Sequence, residues 1–461
     1  MAYAPSSRIL IIVMLGLTFI LARPVTSSAA DYGGCCADLE ERVAELEATT
    51  VRKGNKKVSV TISGWLIKAV NWWDDGDLDE AHVGDWGEDL TSRFSIAGKA
   101  TIAPGWATGY NITITVPGAF AGEIENGNVF GVFSNQFNED SFILSGINTH
   151  LSYMFLESEK FGTLSWGYLS PASNNTTALV DKSGSVIQSN VVFLQGPGFF
   201  LRPAGAKGSA GLSDLTWGDF LFCAGFGAPG GGDCNISANG VRYDTPNWNG
   251  FSFATSAYDN VGSNTEVYDF AVTYDREWEN FRFAAAYTFT HWTDVSGIAF
   301  VPSTNTDSDL HQVAGYIQHM QSGLFLFGYY MREDVGGFGT GPFTSFDKAD
   351  VWFAKAGIRR NWTQFGATVL YGEYQAAKDQ FGPVAGLDIC GTPLGCFVTG
   401  STVERWGLGA VQEIDTASMS LFVRWHEIRM DKLDLVDIAG SRVNRNFDDW
   451  SLFQAGAIIF F

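Results

Sequence analysis

The sequence is short of charged residues, and above all of basic ones. Charged residues make up 17% of the chain, and 29 Lys and Arg stand against 50 Asp and Glu, which gives a formal net charge of −21. A protein that binds nucleic acid needs a basic surface to neutralise the phosphates. We therefore expect no nucleic-acid partner.

Spacings typical of metal sites and catalytic motifs are also missing. The six histidines form no HExxH or similar cluster, and no CxxC pair occurs. Metal ions in proteins are usually held by such closely spaced ligands. We expect neither a metal site nor a cofactor. No motif for a Ser–His or paired-carboxylate constellation stands out either, so we do not expect an enzyme.

Long apolar runs are confined to the N-terminus. Arg8 precedes the apolar residues 9–21, and residues 28–30 are Ser-Ala-Ala, which suits a cleavage site. This pattern predicts a cleaved signal peptide over residues 1–30 and a mature chain that leaves the cytoplasm. Later stretches fall short of the roughly 18 apolar residues that a membrane helix needs. Loss of Arg8 and Arg23 with the signal peptide would take the net charge from −21 to −23.

The few cysteines suit an oxidising compartment outside the cytoplasm. Four of them form two closely spaced pairs inside Gly-rich stretches, for which we predict loop disulfides. The remaining two are adjacent and precede a predicted helix, where they are candidates for a cross-link between subunits. The four loop cysteines are Cys223, Cys234, Cys390 and Cys396, and the adjacent pair is Cys35 and Cys36.

Residues 37–53 are the one convincing helix. Leu39, Val43 and Leu46 recur at spacings of four and three with Glu and Arg between them, as in a coiled-coil seam. Two heptads do not hold an isolated helix in water. We therefore predict that the segment 31–54 is a short periplasmic coiled coil that self-associates. A lone amphipathic helix resting on the following domain is the alternative.

Aromatic residues and glycines are abundant, at 14% of the chain and 53 residues respectively. This composition favours short strands joined by turns over packed helices. From residue 55 to residue 461 the apolar pattern has a period of two, as in strands with two different faces. We predict sixteen strands, at residues 56–73, 90–102, 106–116, 148–157, 162–168, 240–245, 251–258, 267–278, 281–292, 310–321, 324–332, 349–361, 365–374, 403–414, 419–429 and 447–461.

These strands are about ten residues long and are joined alternately by short turns and long connections. This arrangement predicts an all-β transmembrane fold, a sixteen-stranded antiparallel β-barrel over residues 55–461, wide enough for a water-filled lumen. Tryptophans gather at strand ends, where the membrane interface lies. In one strand the outward set is predicted to be Phe281, Phe283, Ala285, Tyr287 and Phe289.

The longest irregular stretch covers about residues 169–238. Its first part is rich in Ser, Asn and Thr and carries Asp181 and Lys182. A compact domain keeps so long an excursion when the excursion works as a lid, plug or binding loop. We predict that this stretch is a constriction loop that folds into the barrel and narrows it.

A second polar stretch, residues 74–89, reads DDGDLDEAHVGDWGED and is strongly acidic. Its carboxylates could hold divalent cations shared with lipopolysaccharide, but the stretch lacks the Gly and terminal Glu spacing of an EF-hand loop. We interpret it as a solvated outer loop.

Three segments resemble the alphaproteobacterial porin family of the Gram-negative outer membrane. They are RKGNKKVSVTISGWLIKAVNWWDDG, then LSYMFLESEKFGTLSWGYLSPASNNT with the following VDKSGS and GFFLR, and VRYDTPNWNGFSF. The resemblance implies a trimeric, sixteen-stranded channel whose third loop folds inward. The terminal Phe461, on an amphipathic last strand, looks like the signal that the barrel-assembly machinery reads on outer-membrane proteins. We also expect contact with outer-membrane lipid and lipopolysaccharide. The Gly-rich, Cys-bearing residues 224–239 depart from the family pattern.

The resemblance further implies passive diffusion of ions and small hydrophilic solutes through the barrel. Charged clusters at a constriction set the ion preference of such a channel. The acidic candidate on the loop is Asp181, and the basic candidates on the wall, chosen because their sequence neighbours are apolar, are Arg93, Arg242, Arg282, Lys355, Arg359, Arg405 and Arg424. The acidic composition favours cations and these wall residues favour anions. We expect a weak cation preference.

Two alternative functions stay open. A channel selective for a sugar or another small solute would use Phe193, Phe199 and Phe200 as an aromatic slide, although the same residues suit an anchor for the loop. A structural tether of the envelope would act through the coiled coil. Deletion of residues 37–53 separates the hypotheses, because permeability should survive in a porin whereas envelope attachment would fail in a tether.

Overall fold

The computed structural model describes residues 58–84, 92–116, 148–190, 199–220, 237–259, 266–293, 307–335, 348–380, 396–437 and 439–461. In these ranges the chain forms eighteen β-strands in one sheet. The strands are β1 (Ser59–Asp74), β2 (Asp79–Gly84), β3 (Arg93–Ala103), β4 (Trp106–Thr115), β5 (Asn148–Ser158), β6 (Gly162–Leu169), β7 (Ala238–Asp244), β8 (Phe251–Asp259), β9 (Glu266–Trp278), β10 (Phe281–Trp292), β11 (Ser308–His319), β12 (Leu324–Val335), β13 (Lys348–Thr363), β14 (Gly366–Lys378), β15 (Cys396–Ile414), β16 (Met419–Asp437), β17 (Arg442–Val443) and β18 (Trp450–Phe460).

Sixteen of these strands close into an antiparallel barrel. Each pairs with its neighbours along the chain, and β18 pairs with β1 from Trp65↔Phe460 to Asp74↔Ser451, which closes the ring. The two remaining strands are short additions, β2 on the second half of β1 and β17 on the end of β16. A closed barrel satisfies its backbone hydrogen bonds between strands, which the interior of a bilayer requires.

The strand prediction is confirmed in number, order and direction, because each predicted strand falls on one barrel strand. The interpretation of residues 74–89 as a solvated loop is wrong in part. Residues 79–84 form β2, which lies along β1 from Ala69↔Gly84 to Asp74↔Asp79. The reason is that β3 pairs only with residues 59–65 of β1, so the rest of that strand has a free edge to which the acidic segment adds.

The two faces of the strands separate as the period-two pattern predicts. In β10, Phe281 and Tyr287 are 40% and 37% exposed on the outer surface, whereas Ala284, Ala286 and Thr288, at the alternate positions, are buried on the inner side. Exposed tryptophans, among them Trp248, Trp278 and Trp362, lie beside the short turns between strands. We call this rim the short-turn end and the opposite rim the long-loop end.

Among the described residues, no helix is both long and apolar enough to cross a bilayer. Residues 1–57 lie outside the described ranges, and with them the signal peptide, the coiled-coil seam Leu39, Val43 and Leu46, and the pair Cys35 and Cys36. Cys396 at the start of β15 is buried and takes part in a disulfide bond. Cys223, Cys234 and Cys390 also lie outside the described ranges, so the loop pairing stays a prediction.

Candidate functional site

The connection between β6 and β7 is described in two parts, and both pack against inward-facing residues of the barrel. We call residues 170–190 the first lobe and residues 199–220 the second lobe. The first lobe has little regular structure, a 3-10 turn at Ala178–Val180 and a single helical turn at Val186–Ser189. Its position is therefore set by side-chain contacts with the wall rather than by its own secondary structure.

The first lobe begins at a buried carboxylate. Ser173 donates from its backbone N–H and its hydroxyl to Asp269 Oδ2 of β9, at 2.7 and 2.6 Å. Ser256 of β8 donates from its backbone N–H to Asp269 Oδ1 at 3.0 Å, and its hydroxyl donates to the same oxygen. Thr290 of β10 donates to the Ser173 hydroxyl at 3.0 Å. Four donors thus satisfy Asp269 without a cation, as a buried carboxylate requires.

Arg242 of β7 also holds the start of the first lobe. Its Nη1 donates to the backbone oxygens of Ser170 and Pro171, both at 3.0 Å. Its Nε and Nη2 donate to the carboxylate of Asp244 two residues along the same strand. The carboxylate orients the guanidinium, which then ties the lobe to the β7 wall.

Lys355 of β13 anchors the middle of the first lobe. Its ammonium group donates to Asp181 Oδ2, to Ser185 Oγ at 3.1 Å and to Asn190 Oδ1 at 2.8 Å. Asn190 in turn donates to Asp181 Oδ2 at 3.1 Å. All three ammonium donors are used, and both charged side chains are fully buried. The pair therefore joins the lobe to the wall and does not face open solvent.

Rings of the wall surround the same ammonium group. Its nitrogen lies 5.6 Å from the Phe327 ring centre and 5.5 Å from the Tyr371 ring centre. Contacts at this distance are cation–π interactions. Beside them, Tyr371 Oη donates to Gln188 O at 3.1 Å, and Arg424 Nη1 donates to the same oxygen. Ser189 Oγ donates to Glu373, so the helical turn is fixed by β14 and β16.

Gly184 marks the closest approach of the lobe to β13 and β15. Arg359 donates to Ser183 O at 3.2 Å and forms an ion pair with Glu413. Gly184 has φ +85°, and a Cβ there would lie 2.1 Å from Arg359 Nη1 and 2.6 Å from Glu413 Oε1. Only glycine supplies both the left-handed conformation and the space.

The opposite face of the first lobe is exposed. Leu179 is 57% exposed, and the Lys182 side chain is partly exposed with Nζ 3.4 Å from Asp275 Oδ2. Arg282 contacts the same carboxylate oxygen at 3.2 Å. The lobe thus turns its carboxylate, Asp181, towards the wall and its lysine towards the open side.

The predicted charged residues are therefore placed in several groups. The structure brings Asp181 into contact with Lys355, and it brings Arg359 and Arg424 onto the backbone of the lobe. Arg242 holds the start of the lobe, and Arg282 shares Asp275 with Lys182. The other two do not contact the lobe through any of the contacts described above: Arg405 has Glu373 as its charged neighbour at 3.9 Å, and Arg93 lies over the Trp65 ring and contacts His150.

The second lobe is attached by an apolar cluster. Phe199 is fully buried, with its ring centre 4.9 Å from those of Trp73 in β1 and Trp450 in β18. Leu201 and Leu215 are buried beside it, and Leu201 N donates to Leu215 O at 2.8 Å. Phe199 is thus an anchor of the lobe.

A buried ion pair that the sequence reasoning missed fixes the second lobe to the β1–β2 turn. Arg202 Nε and Nη2 donate to the two oxygens of Asp75 at 2.9 and 2.8 Å, and Nη1 donates to Gly208 O at 2.9 Å. Nearby, Lys207 forms a more exposed pair with Asp77 at 2.6 Å. The signal for this pair in the sequence is Arg202, the basic residue that ends the apolar run GFFLR, together with the acidic segment 74–89. By composition alone that segment looks like solvated surface.

Asp219 closes the last turn of the second lobe. Thr216 donates to its carboxylate from the backbone N–H at 2.7 Å and from the hydroxyl at 3.0 Å. Burial raises the pKa of the Asp219 carboxyl to about 6, although these hydrogen bonds oppose the shift.

Within the described ranges, no group of His, Cys, Asp or Glu side chains is arranged to hold a metal ion.

Comparisons with known proteins agree with this architecture. A family model for Gram-negative porins matches residues 21–427. The chain is similar in structure to an anion-selective porin from Comamonas acidovorans, with 15% identity, a TM-score of 0.53, and coverage of 88% of this chain and 100% of the other. It also aligns with OmpT of Vibrio cholerae, at 11% identity and a TM-score of 0.48, over 89% and 99% of the two chains. A comparison with curated protein sequences gave no match.

Proposed function

Because the chain belongs to the Gram-negative porin family, we propose that its first lobe is the constriction of the channel. Membership of the family and the closed sixteen-stranded barrel identify an outer-membrane channel for passive diffusion of small solutes. The family resemblance and the three quoted segments support the alphaproteobacterial subgroup. The finer proposal concerns where the lumen narrows and which charges face it.

The position of Lys355 carries this proposal. Its ammonium group binds three side chains of the first lobe on the inner side of β13. An irregular segment fixed there occupies lumen that would otherwise be open. Around the ring, β13 lies eight strands from β5. Solutes would pass between the exposed face of the lobe and the wall on the β5 side.

We propose weak ion selectivity, because many of the inward charges of the wall lie in pairs of opposite sign. Four wall pairs combine one basic and one acidic residue within 4 Å of each other, so they offer little net field to a passing ion. Since these pairs contribute little net charge, the excess of acidic residues in the whole chain favours a weak preference for cations. The four pairs are Lys99–Glu157, Arg242–Asp244, Arg282–Asp275 and Arg359–Glu413.

The family resemblance also supports a homotrimer, with lipopolysaccharide around its outer rim. At the C-terminus, Phe461 N donates to Gly64 O at 3.1 Å, and its residue is 60% exposed. We propose that this terminal aromatic, on the strand that closes the barrel, is the signal that the barrel-assembly machinery reads. The coiled coil predicted for residues 31–54, which lie outside the described ranges, would strengthen such a trimer.

A channel with an aromatic slide is less well supported. Phe199, one of the three residues such a slide would use, is fully buried between Trp73 and Trp450. A side chain with no exposed surface does not bind a passing sugar. General diffusion therefore remains the function that the geometry favours.

Recording of single channels in planar bilayers under a salt gradient tests the proposal. We expect steady conductance that closes in three steps, with a reversal potential only slightly on the cation side. A matched experiment with polyethylene glycols of graded size measures the width of the constriction. The proposal would be refuted if correctly folded protein formed no channel. It would also be refuted if the channel admitted every polymer that fits the barrel without the lobe, because the lobe would then not narrow the lumen.

A further inference from the structure

Under the first lobe, two neighbouring polar side chains of the wall lack hydrogen-bond partners. Thr288 of β10 and Gln312 of β11 are directly opposite each other in the strand pair, and they are 0% and 2% exposed. Among the described residues, nothing bonds to the Thr288 hydroxyl or to the Gln312 amide nitrogen. Buried polar groups of folded proteins nearly always have a partner, either in the protein or in an ordered water molecule. These two groups therefore need a partner that the described chain does not supply.

The first lobe covers both side chains. Its 3-10 turn at Ala178–Val180 lies against β10 and β11. Thr177, which precedes the turn, donates from its hydroxyl to Gln312 Oε1 at 3.4 Å. The Gln312 amide is thus bonded to the lobe at its oxygen end and unpaired at its nitrogen end. The two groups therefore lie in the interface between the lobe and the wall.

The neighbouring strand offers Thr288 no polar side chain. On the β9 side Thr288 is paired with Ala271, which forms an apolar cluster with Ala172 of the lobe and Ala254 of β8. Alanine side chains neither donate nor accept hydrogen bonds. Thr288 and Gln312 do not bond to each other either, although the register places them opposite each other. A small molecule held between them would satisfy both.

The chemistry of the two groups selects the molecule. An amide nitrogen only donates, whereas a hydroxyl both donates and accepts. Both side chains are neutral, so they carry no charge that an ion would compensate. If the Gln312 amide were turned over, an acceptor would replace the donor at this position, and a molecule with both functions would still match it. Water has both functions and is the smallest molecule that does.

We propose that Thr288 and Gln312 bind an ordered water molecule between the first lobe and the β10–β11 wall. The water accepts from Gln312 Nε2 and forms a second hydrogen bond with Thr288 Oγ1, which gives it the two polar partners that a buried water requires. The first lobe is then attached through water at β10 and β11, and directly at Asp269 and Lys355. A bound water requires no solute flux, so this inference does not depend on the proposed constriction.

Thr288→Val distinguishes a hydrated site from a dry one by the direction of its effect. In a hydrated site the substitution removes one partner of the water and leaves the Gln312 amide nitrogen unsatisfied. Hydrogen exchange of residues 170–190 should then become faster, on the order of tenfold. In a dry site the same substitution removes an unsatisfied buried hydroxyl, and exchange should become slower. Slower or unchanged exchange would overturn the proposal.

Thr273→Val is the matched control for this experiment. It makes the same chemical change on β9, at a position that is only partly buried, so water from the lumen can satisfy the hydroxyl of the wild type. Exchange of residues 170–190 should stay at the wild-type rate. If both substitutions accelerate exchange equally, the effect belongs to the loss of any wall hydroxyl, and the assignment to Thr288 is overturned.

A crystal structure of the wild-type mature protein tests the site even if Thr288→Val does not fold. At a resolution that shows ordered water, we expect one water peak within hydrogen-bonding distance of both Thr288 Oγ1 and the Gln312 amide. A direct Thr288–Gln312 hydrogen bond with no peak between the two side chains would overturn the proposal. Single-channel recordings of the same preparation show separately whether the channel conducts.

Discussion

The two lobes of the long connection are attached to the same barrel by different chemistry. The first lobe is Ser-, Asn- and Thr-rich and binds the wall through charged and polar groups centred on Asp269 and Lys355. The second lobe places aromatic and aliphatic side chains against Trp73 and Trp450 and adds one buried ion pair, Arg202–Asp75. Both lobes lie on the inner side of the barrel, the first through polar and charged contacts and the second mainly through apolar packing.

The difference has an energetic consequence. Burial of apolar surface contributes about 25 cal/mol for each Å² removed from water, and the second lobe gains this directly. A buried polar contact has a small net value, although the loss of one partner is expensive. We therefore expect the second lobe to be the more stable of the two, and the first lobe to open locally at lower cost.

The largest effect is expected when the ion pair of the second lobe is broken. Arg202→Met leaves Asp75 buried without its cation, which should cost about 3–5 kcal/mol. Native-state hydrogen exchange of residues 199–220 should report this as faster local opening. Lys207→Met is the matched control, because the Lys207 ammonium group is exposed and the loss of a solvent-screened pair with Asp77 should change the exchange little. Equal effects of the two substitutions would contradict the distinction between buried and exposed pairs.

A smaller loss is expected when the start of the first lobe is altered. Asp269→Asn replaces one of the two acceptor oxygens with an NH2 group, which then faces the N–H and hydroxyl donors of a serine. The loss of these hydrogen bonds should reduce the stability by about 1–3 kcal/mol. Hydrogen exchange of residues 170–190 should increase while that of the second lobe stays unchanged. Asp275→Asn, on the same strand, alters a partly exposed carboxylate whose ion pairs with Lys182 and Arg282 are screened by solvent, so it should change little. Increased exchange in both lobes would show that they are not independent.

Protonation of Asp219 distinguishes the second lobe in a different way. Burial raises the pKa of this carboxyl to about 6 from an ordinary value of 3.8. The folded lobe then binds the proton more tightly than the unfolded chain, so its stability is greatest at low pH and falls as the pH rises from about 4 to about 6. Hydrogen exchange of residues 199–220, corrected for the intrinsic pH dependence of exchange, should therefore become faster over this pH range. In Asp219→Asn this pH dependence should disappear, while the side-chain oxygen still accepts hydrogen bonds from Thr216.

The smallest effect is expected at the exposed face of the first lobe. Lys182→Gln removes one positive charge there, and in bulk water a charge changes the energy of an ion 4 Å away by about 1 kcal/mol. The reversal potential should shift slightly towards cations, with no measurable change in stability. Lys207→Gln, on the second lobe, should leave the reversal potential unchanged. A shift towards anions in Lys182→Gln would contradict the assigned orientation.

Strand number, order and the inward or outward direction of β10 could be predicted from the sequence, because the period of two is a local property of the chain. The partners of the lobes could not. Whether Arg405 or Lys355 meets Asp181 depends on how an irregular loop crosses the lumen, and no periodicity encodes that path. The Arg202–Asp75 contact joins residues 127 apart in sequence. The acidic run that contains Asp75 looks like a solvated surface until the second lobe covers it.

The conductance of single channels that lack the Lys355–Asp181 pair tests the central claim most directly. Lys355→Met should release the middle of the first lobe and produce larger, noisier openings, whereas Lys348→Met, at an exposed end of the same strand, should behave like the wild type. Lys355→Met with Asp181→Leu should restore quiet openings, because a well-packed apolar pair replaces a buried ion pair at little cost. If Lys355→Met folds and conducts identically to the wild type, the first lobe does not narrow the channel through this contact, and the account is contradicted.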